Sequence, residues 1–501
     1  MGQRHTRRQL LRRGGALVVA AGAPALLGPT AFAASRPAAT TAELRRRLSG
    51  TLLEPSDHGW PEARALWNPR LTVIPSAIAF CETSADVSEV VRFAARQGRP
   101  VAARGGRHSF GGYGNVAGGI VADVSRIDRV RLDRGGETAT IGGGANVLDV
   151  YRDLVLAHGR AVPVGTCPTV GIGGLTIGGG FGRLMRRYGI TADNLRAATV
   201  VLADGRVVGC SKDRRPDLFW ALRGGGAGFG VVTGLRFAVR RPRDPIAFTF
   251  SYPWARAPAA LAAWQRTLPR AASALSYGRF RALRLPDGRL TATASGHWYG
   301  PEAELRALLA PLAAAGPSRQ TQRRRAFADA ALPDSARRDA DGAVTAKVQH
   351  FPNYQRSDFF ARDLPAVAIA ALLAEIERWP GRGGGGHEGG VQLDALGAAV
   401  NRPSPGATAF VHREQRFHCA YLSFWGSTDP APQAQARAEW VRTTQRVLAP
   451  YASGAAYQNY IDPELGGWEQ AYFGENLARL QAIKRRYDPD RRFASAQSVT
   501  G

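Results

Sequence analysis

One histidine and one cysteine stand in loops dense with glycine. His108 lies in Arg104-Gly105-Gly106-Arg107-His108-Ser109-Phe110-Gly111-Gly112-Tyr113-Gly114. Cys167 lies in Gly165-Thr166-Cys167-Pro168-Thr169-Val170-Gly171-Ile172-Gly173-Gly174, a tract that continues through Gly178, Gly179, Gly180, Phe181 and Gly182. Glycines in such a loop let backbone N–H groups close on an anion such as a pyrophosphate. A cysteine held there is placed where backbone meets ligand. A tract this dense is expected to form neither a regular helix nor a packed strand. Taken singly, the histidine reads as a plain surface or hydrogen-bonding residue and the cysteine as a buried thiol or half of a disulfide. A third tract, Arg223-Gly224-Gly225-Gly226-Ala227-Gly228-Phe229-Gly230, opens a strand, and the tail carries Tyr457-Gln458-Asn459-Tyr460-Ile461-Asp462. A tyrosine ionises near pH 10, so one acting as a base needs a neighbouring cation or proton acceptor.

Other chemistries lack their residues. The formal dinucleotide fingerprints Gly381-Gly383-Gly386 and Gly384-Gly386-Gly389 sit in a glycine run with no strand before it. P-loop, G-x-S-x-G and H-E-x-x-H patterns do not occur. The four cysteines (Cys81, Cys167, Cys210, Cys419) form no C-x-x-C pair and no metal-finger spacing, and spacing leaves any disulfide pairing open. No metal site is expected.

The elements that must position these loops follow from periodicity. Ser84 starts a helix with Val87, Val90, Val91 and Ala94 on one face, and Gly98 stops it. Residues 100–103 read as a strand entering the His108 loop, and further strands are expected at 119–124, 129–132 and 138–141. Asn146 caps a second helix that Gly159 ends. Asp204-Gly205 joins two strands as a hairpin, residues 217–223 make a helical turn, and 230–239 form another strand. From about 246 to 455, strand signals at 247–252, 290–298, 390–396 and 417–425 alternate with helical ones at 257–267, 301–315, 364–379 and 431–448. That pattern predicts a sheet with helices on one side. Residues 315–345 read as a polar surface excursion. The tail ends in a helix over 477–487 and is too short to fold alone.

With these motifs in order along nearly the whole chain after residue 33, the sequence resembles the berberine-bridge-enzyme-like oxidases of the vanillyl-alcohol-oxidase flavoprotein group. The resemblance implies an α+β fold: a two-part FAD-binding domain of the PCMH type over 34–245, a substrate domain over 246–455 with an antiparallel sheet backed by helices, and a segment over 456–501 that returns to the FAD domain. It implies FAD bonded covalently through His108 at the 8α-methyl and through Cys167 at C6. It places the cofactor on Arg104, Gly105, Gly106, Arg107 and Ser109, on Gly171, Gly173, Gly174 and Gly178, on Val231, and on Asn459 and Tyr460. It makes Tyr457 the base and Val170 a residue that admits O2.

The sequence departs from the plant branch. Ala420 stands where plant members often carry glutamine or glutamate, and His418 where some place a lysine. Phe110 and Phe181 stand where they often have tyrosines. The activation of Tyr457 is therefore open, with Gln392 and Asp394 as substitute candidates. His418 and Trp425 join them as candidate substrate contacts, and Trp298 and Trp425 could stack on a sugar or serve as core.

The chain has 501 residues and a net charge of +26. The basic residues are mostly arginines spread along it, with no nucleic-acid motif, which points to an arginine-rich surface and no nucleic-acid partner. Residues 6–12 carry the adjacent pair Arg7-Arg8. An apolar stretch from Ala16 to Leu27 and the small-x-small triplet Ala31-Phe32-Ala33 follow. This order is that of a twin-arginine signal peptide over 1–33, cleaved after Ala33, on a route that carries folded, cofactor-loaded proteins out of the cell. No later run is long and apolar enough to span a bilayer. The expectation is thus a secreted FAD-dependent oxidase that oxidises a hydroxyl of a carbohydrate or glycosylated metabolite with O2, giving H2O2. A flavin dehydrogenase with another acceptor and a non-catalytic carbohydrate-binding protein on a vestigial flavin fold are the alternatives.

Overall fold

The largest sheet is built on strict alternation. In the strand Phe417–Phe424 the residues Phe417, Cys419 and Tyr421 are buried in a core shared with Val391, Leu393 and Ala395 of the strand Glu388–Ala395 and with Phe280 and Ala282 of Leu275–Arg284. Successive side chains of a strand point to opposite faces. The intervening residues Arg279, Gln392, Asp394, His418 and Ala420 therefore share the other face, with Arg279 opposite Asp394 and Asp394 opposite His418. Seven antiparallel strands form this sheet in the order Arg319–Arg324, Ile246–Tyr252, Leu290–Trp298, Leu275–Arg284, Glu388–Ala395, Phe417–Phe424 and Asn353–Phe360. Helices Ala257–Thr267, Glu302–Ala314, Ala366–Glu377 and Ala431–Leu448 cover its apolar face, bringing in Trp264, Leu309, Leu372 and Trp440.

The computed structural model describes residues 40–339, 341–347, 350–381 and 388–501. Arg7, Arg8 and the Ala33 cleavage point of the signal segment, together with Gly383, Gly384 and Gly386 of the glycine run, lie outside the described residues.

Two smaller sheets carry the glycine loops. The first orders Thr51–Leu53, Ala77–Phe80, Ile120–Asp123 and Val101–Arg104, with the last three parallel to one another. Helix Ser84–Arg96, closed at its start by a reciprocal Thr83–Asp86 capping box, buries Val87, Val90, Val91 and Ala94 against it. The second sheet is antiparallel, in the order Val130–Leu132, Thr138–Gly142, Val231–Ala238, Leu195–Val201 and Val207–Ser211. The tail packs back onto it: Tyr472, Phe473, Leu480 and Ile483 share a core with Phe219, Trp220 and Phe237. Lys484 locks that return, its buried ammonium donating to the Gly228 carbonyl at 2.7 Å and to Asp488 at 2.6 Å. The fold is α+β.

Several expectations are corrected. Ile172–Ile177, inside the Cys167 glycine tract, is a helix. It is short, and a Cβ on Gly173 would fall 2.6 Å from the Gly143 carbonyl oxygen. Glycine here trades helix propensity for close approach to a second backbone. The 315–345 excursion is only partly at the surface. Arg319–Arg324 is an edge strand of the large sheet, and Phe327 and Val344 are buried against Tyr151 and Val155. Its arginines and glutamines mask the strand signal while protecting an open edge. Strands Leu275–Arg284 and Asn353–Phe360 were also unpredicted. All four cysteines are free thiols, and Cys81, Cys210 and Cys419 are buried.

Candidate active site

A cavity of about 800 Å³ lies between the glycine loops, the tail and the polar face of the large sheet. Backbone contact holds two of its walls together. A Cβ on Gly106 would sit 2.3 Å from the Gly171 nitrogen, and one on Gly171 would sit 2.6 Å from the Gly106 nitrogen. Only glycine at both positions lets the His108 and Cys167 loops meet. Among the described residues, no hydrogen bond takes the backbone N–H of Gly106, Arg107, His108 or Ser109. Four consecutive free donors beside a cavity are the arrangement that receives an anion. Gly105, Gly173, Gly174 and Val231 also line the cavity, and a Cβ on Gly174 would meet nothing within 4 Å. The backbone donors, the open glycine and the size of the cavity fit a dinucleotide such as FAD.

His108 and Cys167 face the same space. His108 stacks on Trp67, ring centroids 4.8 Å apart and planes 24° apart. Its Nε2 lies 2.7 Å from Thr169 Oγ1. Burial, with His350 adding to it, pushes the imidazole pKa down to about 3, so the ring is neutral. Cys167 Sγ lies 4.0 Å from the same Thr169 hydroxyl. Burial raises its thiol pKa, and hydrogen bonds from Thr169 work the other way.

The two tail tyrosines differ in what their hydroxyls do. Tyr457 is 1% exposed and stacks on Phe181 at 4.2 Å. Its oxygen accepts from the Gly180 N–H at 2.9 Å and from Asn459 Nδ2 at 3.0 Å. Tyr460 lines the cavity and stacks on Phe110 at 5.0 Å. Among the described residues its hydroxyl takes no hydrogen bond. Burial pushes both phenols well above their ordinary pKa; at Tyr460 the Asp394 carboxylate raises it further while Arg279 opposes. Asp394 is held in place by Arg279 Nε at 2.8 Å and Gln392 Nε2 at 3.0 Å.

Five expected contacts fall elsewhere. Gly178 ends its helix against Asn459, where a Cβ would lie 2.0 Å from the amide oxygen, so it positions the tail and does not line the cavity. His418 is fully buried behind the tyrosines, 5.2 Å from the Tyr460 ring and 5.6 Å from that of Tyr457. Neither of its ring nitrogens meets a hydrogen-bond partner among the described residues, and burial pushes its pKa down to about 4. It packs among aromatic rings and does not line the cavity. Trp425, with Trp298, belongs to the core on the helix side of the large sheet, at 3% and 4% exposure, where no sugar reaches. Gln392 donates to Asp394 and does not itself line the cavity. The Arg104 guanidinium is spent on Asp123 at 2.7 Å and Asn115 at 2.8 Å, a buried pin under the loop. Val170 lines the cavity.

Trp67, Thr169 and Arg279 were unforeseen. Arg279 had a signal: Leu275–Arg284 alternates aromatic and apolar residues with Tyr277, Arg279 and Arg281, the period of a half-buried strand. Trp67 and Thr169 had none, since their partners come from loops 41 and 61 residues away.

Residues 75–211 match the family model described as an FAD binding domain, and residues 456–500 match the one described as berberine and berberine like. An uncharacterized FAD-linked oxidoreductase of Bacillus subtilis is 32% identical over 468 residues, covering 90% of this chain and 98% of its own. The chitooligosaccharide oxidase of Gibberella zeae is 31% identical over 470 residues, covering 88% and 90%. Among solved structures, a glucooligosaccharide oxidase from Acremonium strictum, described as having a 6-S-cysteinyl, 8α-N1-histidyl FAD, superimposes with a TM-score of 0.78 at 27% identity, covering 90% of this chain and 97% of that one.

Proposed function

The chain belongs to the berberine-like FAD-linked oxidoreductases, and from that premise we propose that it is an oxidase acting on a carbohydrate hydroxyl, with O2 as acceptor and FAD attached at both His108 and Cys167. The observation that carries the reading is that a neutral imidazole, a free thiol and the Tyr460–Asp394 pair all face one cavity. Bound FAD supplies the acceptor for the two electrons leaving the carbinol carbon, and O2 takes them on as H2O2.

The chain's own residues position the substrate and handle the proton. Tyr460, whose hydroxyl takes no hydrogen bond among the described residues, accepts the substrate's hydroxyl proton. A phenol this hard to ionise works as a relay, passing its own proton to the Asp394 carboxylate as it takes the substrate's. Asp394 is the carboxylate acting on it, and Arg279 and Gln392 occupy only part of its acceptor capacity. Tyr457 is the second choice, since its oxygen already serves the Gly180 N–H and Asn459. Val170, a small side chain on the cavity wall, leaves room for O2 and favours an oxidase over a dehydrogenase.

A panel of mono- and oligosaccharides, sugar alcohols and simple alcohols, assayed for H2O2 with O2 uptake, tests the function. At least one sugar is expected to give H2O2 in equal amount to O2 consumed. Substrate-dependent bleaching of the flavin without O2 uptake would reassign the protein as a dehydrogenase.

We also propose that residues 1–33 direct export by the twin-arginine route. The double substitution Arg7→Lys, Arg8→Lys is expected to leave yellow, folded protein inside the cell. Secretion of the double variant at the unaltered level would reject the route.

A further inference from the structure

A single hydroxyl stands between the two attachment side chains. Thr169 Oγ1 is 2.7 Å from His108 Nε2 and 4.0 Å from Cys167 Sγ. Because the imidazole is neutral, one of its nitrogens carries a proton and the other a lone pair. Trp67 fixes the plane of the ring, and Thr169 occupies Nε2, so Nδ1 is the nitrogen left for a ligand. Two proton arrangements satisfy the 2.7 Å contact. If the threonine donates, Nδ1 carries the ring proton and has no lone pair to offer. If Nε2–H donates, Nδ1 is a nucleophile, and the threonine's own proton is left to point at the Cys167 sulfur. The second arrangement uses both contacts at once.

We propose that Thr169 is a positioning residue for cofactor attachment: its hydroxyl accepts from His108 Nε2–H, which leaves the lone pair on Nδ1, and donates to Cys167 Sγ, which eases loss of the thiol proton. This rests on the two-point attachment proposed above. Each link replaces one C–H bond of the flavin ring system by a C–N or C–S bond and releases two protons and two electrons. At His108 the protons come from that carbon and from Nε2, the latter leaving along the threonine hydroxyl. At Cys167 they come from the carbon and the thiol. One O2 per link takes the two electrons and two protons and becomes H2O2. Thr169 thus couples the two attachment reactions through one oxygen, whereas a threonine that merely packed the loop would affect neither.

The test compares wild type, Thr169→Val and Thr169→Ser, each folded with FAD in air. Peptide mapping by mass spectrometry follows the flavin on the His108 and Cys167 peptides over time. Valine keeps the shape and removes the hydroxyl; serine keeps the hydroxyl. Attachment at His108 is expected to slow roughly tenfold in the valine variant, the scale of one lost hydrogen bond to a group gaining charge, with a smaller delay at Cys167. Serine is expected to restore both. Wild-type rates at both peptides in Thr169→Val, or a serine variant as slow as valine, would overturn the role of the hydroxyl. Wild type with no flavin on either peptide would instead overturn two-point attachment itself. Should the valine variant not fold, nitrogen-15 NMR of histidine-labelled wild type before FAD addition decides: a proton on His108 Nδ1 refutes the proposal, and one on Nε2 upholds it.

Discussion

Tyr460→Phe is expected to slow flavin reduction by the substrate by ~10²–10⁴-fold, the usual share of a positioned general base. The substitution keeps the ring that stacks on Phe110 at 5.0 Å and removes only a hydroxyl that takes no hydrogen bond among the described residues. Packing and FAD content should therefore be unchanged. Reoxidation of the flavin by O2 should also be unchanged, because the proton handled by Tyr460 belongs to the substrate. Stopped flow times the two half-reactions separately. Tyr457→Phe is the control that gives the result its meaning: it loses the contacts with the Gly180 N–H and Asn459 Nδ2, both buried or half-buried, and should lose stability before rate. A Tyr460→Phe enzyme reduced within about threefold of wild type, well short of a general-base share, with a strongly slowed Tyr457→Phe, would move the base to Tyr457.

Removing both attachment residues is the second large effect. In His108→Ala, Cys167→Ala protein, acid precipitation should release all of the flavin into solution, whereas wild type should keep it in the pellet. Each single variant should retain one link, found by peptide mapping on the remaining residue. The fold should change little, since His108 and Cys167 sit on the cavity wall and not in a core cluster. The single variants are expected to lose driving force for substrate oxidation more than thermal stability, because each link withdraws electrons from the ring system it joins. Acid-released FAD from wild type in full amount would end the covalent reading.

Much of the fold was legible because its signals are local. The helix at Ser84 carries its cap and its apolar stripe within 13 residues, and Asp204-Gly205 announces its own hairpin. The helices and four strands of the large sheet could be placed by periodicity alone. The edge strand Arg319–Arg324 could not, because an edge needs charge more than apolar alternation. The helix Ile172–Ile177 could not either, because glycine composition argues against a helix, while the reason for the glycines is a second backbone brought in from Gly143.

The candidate site divides along the same line. The sequence by itself determined that a histidine and a cysteine lie in glycine loops, that a tyrosine pair sits in the tail, and that the chain resembles FAD-linked oxidoreductases. Each of these is a property of consecutive residues. Both tail tyrosines line the cavity, and which of their hydroxyls is already hydrogen-bonded, that Asp394 is held by Arg279, that His418 and Trp425 turn away from the cavity, and that Thr169 stands between His108 and Cys167 were decided only by the tertiary structure. The physical reason is that a strand alternates its faces, so a single step along Phe417–Phe424 separates core from cleft. The Thr169 hydroxyl, in turn, meets His108 at 2.7 Å only because the folded chain brings together loops 61 residues apart.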